Sequence, residues 1–403
     1  METLSEISDL IQGYHNRLRA TTKSFYRSAY HEIDWDDRLI CIKGPKGVGK
    51  TTLILQHISD AFPHTDDALF LSLDNLWFTT HSLYEVASFF YSHGGRHLFL
   101  DEVHHYAPWQ MAIKNIYDDC PDMHIVFSGS SLLQLEKGLA DLSRRVVEYP
   151  LHGLSFREYL QFEKVIDFHT ITLRELLRHH VDIAMSITKS VKNILVHFER
   201  YLQCGYYPFY KEVKRGYNQR LQRVVNYILD VDYPAIEEVE TSTIRKAKKM
   251  LMVLAEHVPQ IPTMSDLYRE LETDRNQGLK MLYALQRAGL LALLTDNTKA
   301  IKMLSRPDKI LIDNPNLMYA LGTKQDIGTI RESFFLNQVR QKHKVNYPAH
   351  GDFLVDGKYL FEVGGKSKTF DQIKDEPNSY LAIDGIEVGT RNRIPLWMFG
   401  LLY

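Results

Sequence analysis

The sequence has little cysteine, almost no net charge and no long apolar run. Its three cysteines, Cys41, Cys120 and Cys204, cannot pair evenly and fit no metal-ligand spacing, which excludes a disulfide framework and a cysteine zinc site. No apolar stretch approaches the ~18 residues of a membrane-spanning helix. A net charge of −2 over 403 residues gives the whole molecule no drive toward nucleic acid, so any basic surface must be local. The segment Met1-Glu2-Thr3-Leu4-Ser5-Glu6 is acidic and has no signal-peptide pattern. Repeats and low-complexity tracts are absent. Together these absences predict a folded protein of the reducing cytoplasm. The composition is 44% hydrophobic and 24% charged, as in ordinary globular proteins. The chain is too long for one core, so two or three domains are expected.

The most informative segment is Gly44-Pro45-Lys46-Gly47-Val48-Gly49-Lys50-Thr51, which reads G-x-x-x-x-G-K-T. That is the phosphate-loop signature, in which backbone N–H groups curl around a phosphate at a helix N-terminus. An apolar run, Leu39 to Ile42, precedes it as a buried strand, and Thr51 to Ile58 continues with helical periodicity from Thr51-Thr52. Lys50 is expected on the β- and γ-phosphates and the Thr51 hydroxyl on Mg²⁺. The ligands predicted are therefore a nucleoside triphosphate and Mg²⁺.

Further strands follow at Ala68 to Asp74 and His97 to Glu102, with a helix carrying Leu83, Val86, Ala87 and Phe90 between them. Asp101 and Glu102 end the second of these strands. Strand tips are where ligands bind in open α/β sheets, so Asp101 is the candidate for Mg²⁺ and Glu102 for polarising the attacking water. A fourth strand ends in Ser128-Gly129-Ser130-Ser131. Ser128 and Ser130 are candidates to sense the γ-phosphate, against ordinary capping of the next helix. Arg144-Arg145 precede a fifth strand, Val146 to Leu151. Arg145 is the candidate arginine finger, in cis or on a neighbouring subunit, against a solvated pair at a helix end. The alternation predicts an α/β fold: a P-loop parallel sheet covered by helices on both faces.

The phosphate loop, Leu100-Asp101-Glu102-Val103-His104, Ser128-Gly129-Ser130-Ser131 and the segment Tyr149-Pro150-Leu151-His152-Gly153-Leu154-Ser155-Phe156-Arg157-Glu158-Tyr159-Leu160 occur in one order. In this the chain resembles prokaryotic AAA-superfamily ATPases that carry a winged helix and a restriction-endonuclease-like C-terminal domain. The likeness runs through the whole chain, although that family often has Gly-Arg where Arg144-Arg145 stand here. It implies ATP rather than GTP, and four parts: N-terminal helices and ATPase domain (1–154), helical lid (155–240), winged helix-turn-helix (241–325) and endonuclease-like domain (326–403).

The residues themselves support the middle parts. From Ser155 to Tyr233 the pattern is helical, interrupted by Gly205 and Pro208. Helices are then expected from Thr243, at Ser265 to Leu271 and from Asp274 to Gly289, followed by a hairpin of Leu290 to Leu294 with Ala300 to Leu304. Three helices and a hairpin make a winged helix-turn-helix. DNA, if bound there, would meet Arg275, Asn276, Lys280 and Arg287 on the third helix.

In the C-terminal part, the resemblance implies a PD-(D/E)xK nuclease core, with Glu332, Asp352 and Glu362 as possible ligands of a second metal site. Gly364 stands where that motif has its lysine, and the nearest lysine is Lys366. Hairpin geometry adds a condition. A two-residue Asp356-Gly357 turn pairs Asp352 with Phe361 and puts Glu362 on the opposite face, whereas a three-residue loop puts Asp352 and Glu362 on the same face. The chain thus reads as an ATPase acting as a conformational switch. The alternative is an ATP-gated DNA-binding protein or nuclease. An oligomer is compatible with either.

Overall fold

The computed structural model describes residues 2–62, 67–213, 215–235, 239–256, 264–296, 306–322 and 326–403. By its internal contacts the chain divides into two compact units, Met1–His152 and Gly153–Tyr403. No helix among the described residues is long and apolar enough to cross a membrane, and the three cysteines are free thiols.

The first unit contains, in chain order, α1 (Glu2–Ala20), α2 (Ser28–Glu32), β1 (Leu39–Lys43), α3 (Lys50–Ala61), β2 (Ala68–Ser72), α4 (Leu83–Ser92), β3 (His97–Asp101), α5 (Trp109–Asp119), β4 (His124–Gly129), α6 (Leu132–Leu142) and β5 (Val147–Pro150). The five strands form one parallel sheet in the order β2-β3-β4-β1-β5. Parallel sheets need both faces covered, and alternate residues of these strands serve the two faces. Leu39, Cys41, Leu69, Leu71, Leu98, Leu100, Ile125 and Phe127 pack with Val86 of α4, Ile113 and Ile116 of α5 and Leu135 and Leu139 of α6. On the other face Phe70 stacks on Tyr14 of α1 and Phe99 meets His57 of α3. Each side chain buried this completely contributes about 1.5–3 kcal/mol.

Because all strands run the same way, their carboxyl ends share one edge. Ile42 pairs with Ser128, and Leu100 pairs with Phe127, so Asp101 and Ser128 end neighbouring strands side by side. The phosphate loop leaves the end of β1 at that edge. The register therefore builds the site.

The second unit continues with α7 (Phe156–Phe162), α8 (Leu173–Ser190), α9 (Ile194–Arg200), α10 (Tyr217–Tyr227), α11 (Thr241–Glu256), α12 (Met264–Glu270), α13 (Arg275–Arg287), β6 (Leu291–Leu294), β7 (Lys309–Ile312), α14 (Pro315–Leu321), α15 (Ile327–Val339), β8 (Val345–Asn346), β9 (Phe353–Val355), β10 (Tyr359–Gly364), β11 (Ser379–Ile383) and β12 (Arg393–Pro395). Asp274 caps α13 by accepting from the N–H groups of Asn276 and Gln277. One expectation is corrected here: the strand that pairs with β6 is β7, at Lys309–Ile312. The Ala300 to Leu304 run assigned to that role lies outside the described residues.

The last five strands form a sheet in the order β12-β11-β10-β9-β8, antiparallel from β8 to β10 and parallel from β10 to β12. Phe335 of α15 packs on Phe353, Phe361 and Phe399, with ring centroids 4.7–5.0 Å away. The Leu-Ser-Phe-Arg-Glu segment also has a structural task in this unit. Ser155 and Glu158 form a reciprocal cap at the start of α7, while Ser155 Oγ and Arg157 Nε both donate to the Tyr403 carbonyl at 2.6 and 3.1 Å.

Candidate active site

The loop of residues 44–49 enters α3 through Gly49, whose φ of 98° is open to glycine and strained for other residues. At its other end, a Cβ on Gly44 would stand 2.1 Å from the Leu151 carbonyl oxygen, so β1 and the chain after β5 approach only because no side chain intervenes. Pro45 and Lys46 are half-buried, Gly47 is exposed, Val48 is buried and Thr52 is exposed.

Lys50 is 4% exposed, and its ammonium donates to the Gly44 and Pro45 carbonyls at 2.8 and 3.1 Å. Burial lowers its pKa, while the neighbouring Glu102 and Asp101 carboxylates oppose that shift. The lysine is thus folded over its own loop, aimed where the loop's N–H groups curl.

Thr51 Oγ1 donates to Asp101 Oδ2 at 2.6 Å, and Ser128 Oγ donates to Asp101 Oδ1. Asp101 is 2% exposed, and burial raises its pKa against the pull of these two hydroxyls. Hydroxyl and carboxylate oxygens meeting at the loop's helix are hard donors of the kind Mg²⁺ takes, so the residues present fit that ion.

Glu102 has a left-handed backbone, φ 54° and ψ 43°, which turns its carboxylate out of the strand's pleat. Ser130 holds it there: its Oγ and N–H donate to Glu102 Oε2 at 2.8 and 3.3 Å. The two serines therefore divide the acids between them, Ser128 on Asp101 and Ser130 on Glu102.

Arg145 stands elsewhere. It lies two residues before β5, at the amino edge of the sheet, and pairs with Asp118 of α5 through two hydrogen bonds of 3.2 Å. Strand direction separates it from the loop of its own unit, so the cis finger role is corrected; Arg144 is exposed.

Sequence reasoning missed Arg27, which is 6% exposed. Its guanidinium donates to the Val48 carbonyl inside the loop and to the His152 carbonyl, each at 2.8 Å. A lone arginine in a polar stretch carries no motif, so no sequence signal marked it. His104 was also passed over as a site residue. Burial pushes its pKa down to about 4, and neither ring nitrogen has a hydrogen-bond partner.

The C-terminal carboxylates adopt the even register. Val355 pairs with Tyr359 and Phe353 with Phe361, leaving the loop Asp356-Gly357-Lys358, with positive φ at Asp356 and Gly357. Asp352 and Glu362 therefore share a face, yet each is already engaged. Lys309 Nζ lies 2.9 Å from Glu332 Oε2 and 3.3 Å from Asp352 Oδ1, and Lys368 Nζ lies 2.5 Å from Glu362 Oε1. Among the described residues, Glu332, Asp352 and Glu362 do not converge as a set within metal-sharing distance. An ammonium occupies the ground between Glu332 and Asp352.

Comparison with known proteins bears on the first unit. Residues 36–160 match the family model described as an AAA domain. That segment is similar to AAA domains. An uncharacterised protein of Methanocaldococcus jannaschii is 25% identical over 388 residues, 88% of this chain and 81% of that protein. Among solved structures, a Walker-type ATPase of Pyrococcus abyssi is similar at a TM-score of 0.45 and 13% identity, over 75% of this chain and 97% of that one. AMPPCP-bound DnaA from Aquifex aeolicus is similar at 0.28 and 15% identity, over 64% and 83%.

Proposed function

We propose that the first unit binds Mg·ATP at residues 44–52 and hydrolyses it, acting as a conformational switch on the second unit. The observation that carries this is the convergence of Lys50, the Thr51–Asp101 pair and Glu102 where the loop enters α3 beside the end of β3. Thr51 and Asp101 would hold Mg²⁺, which would neutralise charge developing on the phosphate oxygens. Lys50 would exchange the Gly44 and Pro45 carbonyls for phosphate oxygens. Glu102 would accept the proton of a water whose oxygen bonds to the γ-phosphorus as the bond to ADP breaks. Arg145, if it serves as a finger, would do so on a neighbouring copy.

The test is nucleotide turnover and binding in three proteins. Lys50→Ala is expected to lose ATP binding, and Glu102→Gln to bind ATP and release no phosphate. Unchanged turnover in both variants would falsify the assignment.

For the second unit we read residues 155–240 as the lid, 241–325 as a winged helix and 326–403 as an endonuclease-like fold used for binding. The lysines seated on Glu332, Asp352 and Glu362 favour binding over cleavage. A second reading, ATP-gated DNA binding, is favoured by α13, where Arg275, Asn276, Lys280 and Arg287 are all exposed. Retention on duplex DNA that falls as salt rises supports it; no retention with or without ATP rejects it.

A further inference from the structure

Immediately beyond β3 the chain makes an unusual turn. Glu102 is left-handed, and Val103–His105 close a 3₁₀ turn behind it. One ligand atom from each of Glu102, His104 and His105 lies within 4.8 Å of the others. Among the described residues they form the sole group of three or more such ligands that does so.

A second observation points the same way. His104 is 8% exposed, and neither Nδ1 nor Nε2 makes a hydrogen bond. A buried imidazole normally finds a partner for at least one nitrogen. Here Nδ1 faces Glu102 Oε2 at 3.5 Å. Two ligands bound at 2.0–2.1 Å to a tetrahedral zinc ion stand about 3.4 Å apart. The gap matches the spacing of two such ligands. His105 is exposed and Glu102 half-exposed, so an ion can enter from solvent.

We propose that Glu102, His104 and His105 form a site for a divalent transition-metal ion such as Zn²⁺, and that filling it withdraws Glu102 from nucleotide hydrolysis. Two imidazoles and one carboxylate are a borderline-soft set that suits zinc, with a fourth position left to water. Mg²⁺ is not expected here, because it prefers oxygen ligands. The ion would draw Glu102 from Ser130 and leave it no lone pair directed at a nucleophilic water. The regulatory half rests on the hydrolytic reading above; the metal site does not.

The test separates the two. Without nucleotide, Co²⁺ is titrated into the full chain and its visible bands are followed, then displaced with Zn²⁺. The wild type is expected to give tetrahedral bands, and His104→Ala and His105→Ala each to weaken zinc binding by at least about tenfold. His105 is exposed, so its variant remains informative if His104→Ala fails to fold. In turnover with excess Mg·ATP, zinc is expected to suppress the wild type, a zinc-selective chelator to restore it, and His105→Ala to resist zinc at unchanged basal rate. Equal zinc affinity in all three proteins overturns the site. Zinc-loaded wild type turning over at the metal-free rate overturns the regulatory half. A wild type with no turnover at all overturns the hydrolytic reading and the regulation with it, while the Co²⁺ titration still decides the site.

Discussion

Arg27 braces the phosphate loop through the Val48 carbonyl, so removing it is expected to weaken nucleotide binding. Its guanidinium satisfies the Val48 carbonyl and the His152 carbonyl, each at 2.8 Å, from a side chain 6% exposed. Arg27→Ala leaves both acceptors without that donor. Losing the donor to the buried Val48 carbonyl costs about 1–3 kcal/mol in the first unit, and the half-buried His152 carbonyl adds less because solvent reaches it. Val48 lies inside the phosphate loop, so part of that loss reappears as the work of ordering the loop around its ligand. If about 1.4 kcal/mol does, nucleotide affinity falls tenfold. Arg27→Lys places one ammonium where two forked donors stood, and an intermediate loss is expected. Urea unfolding followed through Trp35, Trp77 and Trp109, together with titration of a fluorescent ATP analogue, measures both effects. Unfolding free energy and affinity both matching wild type in Arg27→Ala would refute the reasoning.

Ser130→Ala removes one hydrogen bond to a charged carboxylate, worth about 1.5 kcal/mol, so turnover is expected to fall about tenfold at unchanged nucleotide affinity; a shifted affinity with intact turnover counts against the role given to Ser130. Glu332 supplies a pH dependence. Burial raises its pKa to about 7, the Asp352 charge adding to the rise and Lys309 opposing it. A raised carboxyl pKa favours the protonated folded state, so its stabilising contribution is full below the unfolded value of about 4.3 and is lost as pH rises through about 7. The second unit is therefore expected to weaken as pH rises from about 4 to about 7, and Glu332→Gln to flatten that slope in denaturation series; parallel slopes reject the assignment. Ser155→Ala breaks a helix cap and the bond to Tyr403, with an expected loss of about 1–2 kcal/mol from the second unit and none from the first. A calorimetric scan that resolves the two units checks it.

What the sequence revealed follows from how local each signal is. The loop, the Asp101-Glu102 strand tip and the alternation of the first unit were legible because each is written in adjacent residues. The partner of β6 at Lys309–Ile312 was not legible because several short apolar runs follow α13 and periodicity cannot choose among them. The place of Arg145 relative to its own loop was not legible because a motif gives order along the chain and not which end of a strand a residue occupies. Arg27 and Lys309 left no trace in the sequence: both reach across 21 or more residues to their partners, and nothing near either names the other.

The two acid clusters differ in a way that only coordinates show. Asp101 is bonded by the hydroxyls of Thr51 and Ser128, neutral donors that can rotate to present lone pairs, so a divalent cation can join them without expelling a charge. Glu332 and Asp352 share the ammonium of Lys309, and Glu362 holds that of Lys368. A cation arriving there must first displace a positive charge from a half-buried pair, whose remaining partner would lose its neutralisation. Equivalent carboxylates on two sheets are thus poised differently: one set is ready for a metal, the other already neutralised by the chain itself. That difference favours the first unit for the proposed phosphate chemistry and leaves Glu332, Asp352 and Glu362 neutralised by lysine.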